Sequence, residues 1–213
     1  MTPSAPTPAT SAQSAIDRPF TIVLLASGTG TLAKAIIEAV QDGRLRVRIA
    51  ALGTDRDAPA LDVAKAAGIA TFTVKPSDFP DRDAWDRGLL KAVEAFEPDL
   101  VASVGFMRVF GPAFLSRFEG LTINSHPALL PKFPGAHAVR DALAAGVTET
   151  GCSIHFVDSG VDTGPVIAQR RVPVEPGDDE ATLHERIKVQ ERDMAVQVIG
   201  RCASGKILLH PHR

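Results

Sequence analysis

From Phe20 onward the chain alternates short apolar runs with amphipathic stretches, and no other feature limits its possible folds so strongly. "FTIVLLAS" (20–27), "RVRIAALGT" (46–54), "IATFTV" (69–74), "DLVASVGF" (99–106) and "LTINS" (121–125) have the length and apolar content of buried strands. Helical patterning fills the intervals at 31–40, near 58–67, at 81–96 and near 112–118. Strand and helix in turn predict an α/β fold, an open, mostly parallel twisted sheet with helices on both faces. After residue 146 the pattern changes. "TGCSIHFV" (150–157) and "PVIAQRRVPV" (165–174) are joined by "DSGVDTG", too short for a crossover helix, so an antiparallel hairpin is expected. A long helix over 180–199 and a brief strand or coil at 206–209 complete the reading.

Residues 1–19 are almost wholly Pro, Ser, Thr and Ala, with nothing large enough to bury, so a disordered tail is expected ahead of a single domain over 20–213. A formal net charge of −2 gives no reason to expect nucleic acid or a membrane surface as the main partner, and leaves room for a small anion held by a local basic patch. Cys152 and Cys202 are too few and too isolated for a disulfide framework. They read as free thiols in a reducing compartment, and with neither a secretory signal nor a run of about 18 apolar residues the chain is expected to be cytoplasmic.

"ASGTGTLA" (26–33) leaves the first strand and opens the first helix, placing Gly28 and Gly30 where the chain turns and where free amides favour an anion. The spacing Gly28, Gly30, Ala33, with Asp55 after the second strand, also fits a dinucleotide fingerprint with a ribose-binding acid. A plain steric turn, a dinucleotide site and a single-phosphate site all remain compatible with the loop.

Asn124 and His126 lie two apart in a strand, so they face the same side at roughly 6.5 Å separation, at the edge where parallel sheets collect ligands. An amide and a protonated imidazole both donate hydrogen bonds and can together hold a carbonyl oxygen that turns negative under attack. Pro127, Pro131 and Pro134 follow at once and stiffen the loop, with Leu130–Pro131 the foremost candidate for a cis bond. The hairpin loop offers Asp162 as a charge partner for the histidine. A capping amide with a structural histidine fits as well, and Asp158 and Asp162 also suit turn formation. His155 is placed in the hairpin strand, His137 near a helix start, and His184, His210 and His212 on the surface; none has metal-ligand spacing, and no metal is expected.

"SGTGT", "GFMRV" (105–109), "NSHPALLPKFPG" (124–135), "HFVDSGVDTGP" (155–165) and "ERIKVQE" (185–191), in this order, resemble the phosphoribosylglycinamide formyltransferase family, folate-dependent enzymes of purine synthesis. The resemblance covers nearly everything after the tail. It implies formyl transfer from 10-formyltetrahydrofolate, as co-substrate, to the amine of phosphoribosylglycinamide. The family's catalytic asparagine, histidine and aspartate fall on Asn124, His126 and Asp162, its phosphate loop on Gly30, Thr31 and Leu32, and its ribose-contacting glutamate on Glu191. The folate side falls on Arg82, Met107, Arg108, Val109 and Phe110, the backbone of 158–162, and Asn124 again. Two positions depart from the common pattern. Leu32 stands where many members carry Asn, which leaves the phosphate to backbone amides, and Phe110 stands where leucine is common.

Two related families share the Asn-His-Asp set. The tRNA-directed formyltransferases carry an added C-terminal domain and the folate deformylases an added N-terminal one, so the length of this chain favours the ribonucleotide enzyme. The partners implied are thus the two small molecules, with the chain a monomer or a homodimer. A nicotinamide dinucleotide oxidoreductase is the alternative that the glycine loop and Asp55 support.

Overall fold

A computed structural model describes residues 18–210. Most of the expected tail, residues 1–17, lies outside this range, as does His212; Arg18, the tail's next residue, forms a bidentate ion pair with Asp99 at 2.5 and 2.8 Å.

Five parallel strands form first: β1 (Thr21–Ala26), β2 (Arg48–Thr54), β3 (Ala70–Thr73), β4 (Leu100–Ser103) and β5 (Thr122–His126). Two antiparallel strands, β6 (Glu149–Phe156) and β7 (Val166–Pro173), extend them into one seven-stranded sheet of order β3-β2-β1-β4-β5-β6-β7. The expected α/β sheet with its added hairpin is therefore present. β1 and β2 are buried along most of their length, as strands covered on both faces must be.

Strand parity sorts the core into two layers. Ile22, Leu24, Ala102 and Ile123 face α1 (Thr31–Gln41), α2 (Ala60–Ala66) and α6 (Glu180–Ala203), whereas Val23, Leu25 and Val101 face α3 (Arg82–Glu94) and α4 (Pro112–Phe118). Each fully buried leucine, isoleucine or phenylalanine in these layers contributes roughly 1.5–3 kcal/mol. Helix starts carry their own signals: Asp81 caps α3 by accepting from the Ala84 amide at 2.7 Å, and Asp179 forms a capping box with Thr182 on α6.

The expected element boundaries hold to within a few residues, with α6 running to Ala203 rather than 199. One element was not anticipated, a 3-10 turn at Pro76–Asp78, and α5 (Ala138–Ala144) begins beside His137, where a helix start was expected without its extent. Residues 206–209 form no strand. Among the described residues no helix is long and apolar enough to cross a membrane.

The strand order reverses between β1 and β4, and the loops leaving their C-terminal ends splay apart there. Backbone bonds from Ser27 to the Gly105 carbonyl (2.9 Å) and from Ala60 to the Gly28 carbonyl (3.2 Å) fix the floor of the resulting cleft.

Candidate active site

The cleft encloses about 590 Å³ and is lined by the 28–32 loop, the loop after β4, the tip of β5, the β6–β7 turn and one face of α6. Its centre is the tip of β5. Because successive strand residues point to opposite faces, Asn124 and His126 share one face, where both approach Asp162, while Ser125 turns toward α6.

Asn124 is oriented from below: its Oδ1 accepts from the buried Ser103 hydroxyl at 2.7 Å, which directs the amide nitrogen outward. That nitrogen stands 3.2 Å from His155 Nε2 and 3.4 Å from Asp162 Oδ1. His126 has Asp162 Oδ2 at 3.3 Å from Nδ1 and the Phe133 carbonyl at 2.8 Å from Nε2. Both ring nitrogens face oxygen acceptors, and only the imidazolium carries a donor at each. Asp162 completes the cluster by accepting from the Gly135 amide at 2.8 Å.

Two local devices bring these groups together. Phe156 pairs with Ile123, so the hairpin turns at the level of β5, and Asp162, at φ +55°, curls its carboxylate back over Asn124 and His126. The proline loop folds back on its own strand, with the expected cis bond at Leu130–Pro131. Ser153 pins it by donating to the Ala128 carbonyl (2.6 Å) and accepting from the Leu130 amide (3.0 Å). The stiff loop thus both restricts the strand tip and delivers the Phe133 carbonyl to the imidazole.

Burial disfavours ionisation of Asp162, but the bond with His155, the Gly135 amide and the charges of His126 and His155 outweigh it and hold the carboxyl below its ordinary value. Asp158, by contrast, is a turn former, accepting from the Gly160 amide and the Thr163 hydroxyl.

On the α6 side, Gly30 is left-handed at φ +73° and caps α1; a Cβ there would lie 2.8 Å from the Cα of Ala60, so only glycine fits. The first amides of α1, including those of Thr31 and Leu32, have no helical partner and suit an anion. The Leu32 side chain is buried in the core, which leaves its amide as the group that can serve. Glu191, 7% exposed, accepts from the Ser125 hydroxyl at 2.7 Å, and burial pushes its carboxyl above the ordinary range.

On the other side, Met107, Arg108, Val109 and Phe110 line the cleft. Arg82 does not line it; its guanidinium donates to the Val109 carbonyl and lies over the Trp85 ring. Phe110 stacks on Phe114 with ring centroids 4.5 Å apart.

Two readings of the sequence need correction, those of Asp55 and His184, and that of His155 needs an addition. Asp55 is not free to meet a ribose: 1% exposed, it accepts from Arg56 Nη2 at 2.8 Å and Arg108 Nε at 2.7 Å. Burial opposes its ionisation, but the bonds from Arg56, Ser27 and Arg108 bring its carboxyl down to about 2. The dinucleotide reading thereby loses its acidic residue. His184 is half-buried and lines the cleft, where burial and the Lys188 charge lower its affinity for a proton. His155 is in the hairpin strand as expected, but it also touches both Asn124 and Asp162.

Lys188 and Arg192 also line the cleft and went unnoticed in the sequence. Helical spacing from Glu191 held the signal, since positions 184, 188 and 191 share one face of α6.

The comparisons with known proteins agree with this geometry. A formyl transferase family profile matches residues 20–199. The chain is 53% identical over 186 residues to the phosphoribosylglycinamide formyltransferase of Mycobacterium tuberculosis, a match spanning 87% of this chain and 86% of that one. It is 42% identical over 190 residues to the Escherichia coli enzyme of that name, spanning 89% and 90%. Among solved structures, glycinamide ribonucleotide transformylase 1 from Symbiobacterium toebii superposes with a TM-score of 0.87 at 38% identity, spanning 90% of this chain and 91% of that one. A match running from the first strand through nearly all of α6 takes in every wall of the cleft, and the chain belongs to the formyl transferase family.

Proposed function

We infer that this chain transfers a formyl group from 10-formyltetrahydrofolate to the amine of phosphoribosylglycinamide, a reading supported by relatives named phosphoribosylglycinamide formyltransferases. The observation that carries the reading is the meeting of Asn124, His126 and Asp162 at one point between an anion-suited wall and a more apolar wall.

On this reading the phosphate rests on the amides of Gly30, Thr31 and Leu32, with Lys188 and Arg192 supplying positive charge, and Glu191 accepts from the ribose hydroxyls. The run from Met107 to Phe110, the backbone of 158–162 and Asn124 receive the folate, while Arg82, outside the cleft, holds the Val109 carbonyl of that run. The amine then attacks the formyl carbon: a C–N bond forms, and the carbonyl electron pair moves onto oxygen. Asn124 Nδ2 and the His126 imidazolium donate to that oxyanion, an interaction typically contributing about 3–4 kcal/mol per donor. Of the two bonds His126 makes, that to Asp162 is the longer, 3.3 against 2.8 Å, so Nδ1 turns toward the oxyanion at less cost. Asp162 stands beside the imidazolium as its counter-ion while the oxyanion forms, and then accepts the proton that the attacking nitrogen sheds. The oxyanion collapses, the bond to the folate nitrogen breaks, and that nitrogen takes the proton from Asp162, which returns to its carboxylate form.

The direct test incubates purified protein with both substrates and follows the absorbance change as the folate loses its formyl group. Formylated product in stoichiometric amount is expected. Absence of transfer, with saturable binding of NADH instead, overturns the reading.

Glu191→Gln checks the acceptor side. Loss of a charged acceptor for hydroxyls is expected to raise KM for phosphoribosylglycinamide about tenfold. The folded Glu191 binds its proton more tightly than the unfolded chain does, so its contribution to stability falls as the pH rises above the ordinary 4.5. Melting curves are therefore expected to favour the Gln variant over the parent increasingly as the pH rises above about 5. An unchanged KM removes Glu191 from the site.

A further inference from the structure

We propose that Asp55 is a positioning residue for the folate side of the cleft, holding the Arg108 guanidinium directly and the Met107 amide through Ser27. The proposal rests on assigning the run from Met107 to Phe110 to the folate.

That run has little burial of its own to hold it. Between the buried rings of Phe106 and Phe110, the side chains of Met107 and Val109 are 62% and 49% exposed, so polar ties must fix the backbone between them. One tie comes from Arg82, which donates to the Val109 carbonyl. The other comes from Asp55 at the end of β2. Its carboxylate accepts from Arg108 Nε at 2.7 Å and bonds the Ser27 hydroxyl, and that hydroxyl accepts from the Met107 amide at 2.8 Å. Groups from the ends of β1 and β2 and from the β4 loop thus converge on one buried carboxylate, directly under the residues proposed to meet the folate.

Fold maintenance alone accounts poorly for this arrangement. Asp86, another buried acid near the same loop, is explained by the start of α4, where it accepts from the amides of Gly111, Ala113 and Phe114. Asp55 caps no helix, and Arg56 beside it already neutralises its charge at 2.8 Å. What the second ion pair, with Arg108, adds is the orientation of a residue 53 positions further along the chain. The contact uses Nε, and a guanidinium still carries four N–H donors on its terminal nitrogens for an anionic ligand.

The experiment compares Asp55→Asn, Arg108→Ala and the double variant by steady-state kinetics and by anaerobic calorimetric titration with tetrahydrofolate. Asp55→Asn is expected to raise KM for 10-formyltetrahydrofolate and Kd for tetrahydrofolate about tenfold, the loss typical of one charge-assisted hydrogen bond. KM for phosphoribosylglycinamide is expected to stay within about twofold, and the double variant to lose less than the product of the single losses. If Asp55→Asn does not fold, Ser27→Ala replaces it, with an expected rise of about threefold in the folate constants only. Unchanged folate constants, an equal rise in both KM values, or multiplicative losses overturn the proposal while a weakened Arg108→Ala keeps the folate assignment. Tetrahydrofolate binding unaltered by Arg108→Ala overturns the assignment itself, and the proposal with it.

Discussion

An Asp162→Asn variant is expected to turn over about 1,000-fold more slowly than the parent, with both KM values within about threefold. The substitution conserves volume, and asparagine tolerates the positive φ of 55° at this position better than most residues. What it removes is the charge. Asp162 is the acceptor shared by His126, Asn124 and the Gly135 amide, and an amide NH2 group in its place turns donors toward donors. The imidazolium loses its counter-ion and the attacking amine loses its proton acceptor, so the damage falls on the chemical step. A kcat within tenfold of the parent removes Asp162 from the mechanism.

Stability reports on the same group with a definite sign. A carboxyl whose folded value lies below its unfolded 3.8 contributes stability above that value and loses it as the pH falls through the folded one. Urea unfolding is therefore expected to show the gap between parent and Asp162→Asn widest above about pH 4 and closing at more acidic pH.

The second large effect is expected at Asn124. Truncation to alanine deletes the donor that the Ser103 hydroxyl aims into the cleft, and kcat is expected to fall about 100- to 1,000-fold. Because the oxyanion exists only beyond the ground state, the loss belongs in kcat, with a smaller rise in the folate KM from the contact proposed between Asn124 and that ligand. Single-turnover measurement separates the two. A loss below tenfold, or one confined to KM, rules out transition-state stabilisation by this amide.

Much of the scaffold was legible because strand and helix periods differ so sharply. The apolar runs 20–27, 46–54, 69–74, 99–106 and 121–125 announced the five parallel strands, and the short link over 158–164 announced the hairpin. Of α5 only the start, near His137, was legible: "AVRDALA" is short and alanine-rich, and its buried positions Ala138, Val139 and Ala142 emerge only against the finished core.

The site divides in a similar way. Asn124 and His126 were readable from strand parity, and Asp162 from its place in the hairpin loop together with the family pattern. The role of His155 depends on antiparallel register, which pairs it with Asn124, and no local pattern states that register. Asp55 misled for the opposite reason. Its spacing from the glycine loop suited a ribose, but two arginines, one of them from a distant loop, engage its carboxylate.

The alternation at the tip of β5 makes residue count there a functional quantity. One residue inserted ahead of Asn124 would swing the amide and the imidazole toward α6 and send the Ser125 hydroxyl to the opposite face, away from Glu191. Inserting two would restore all three orientations. Loops around the sheet can lengthen or shorten freely over evolutionary time, but in this segment the arrangement tolerates drift only in even steps.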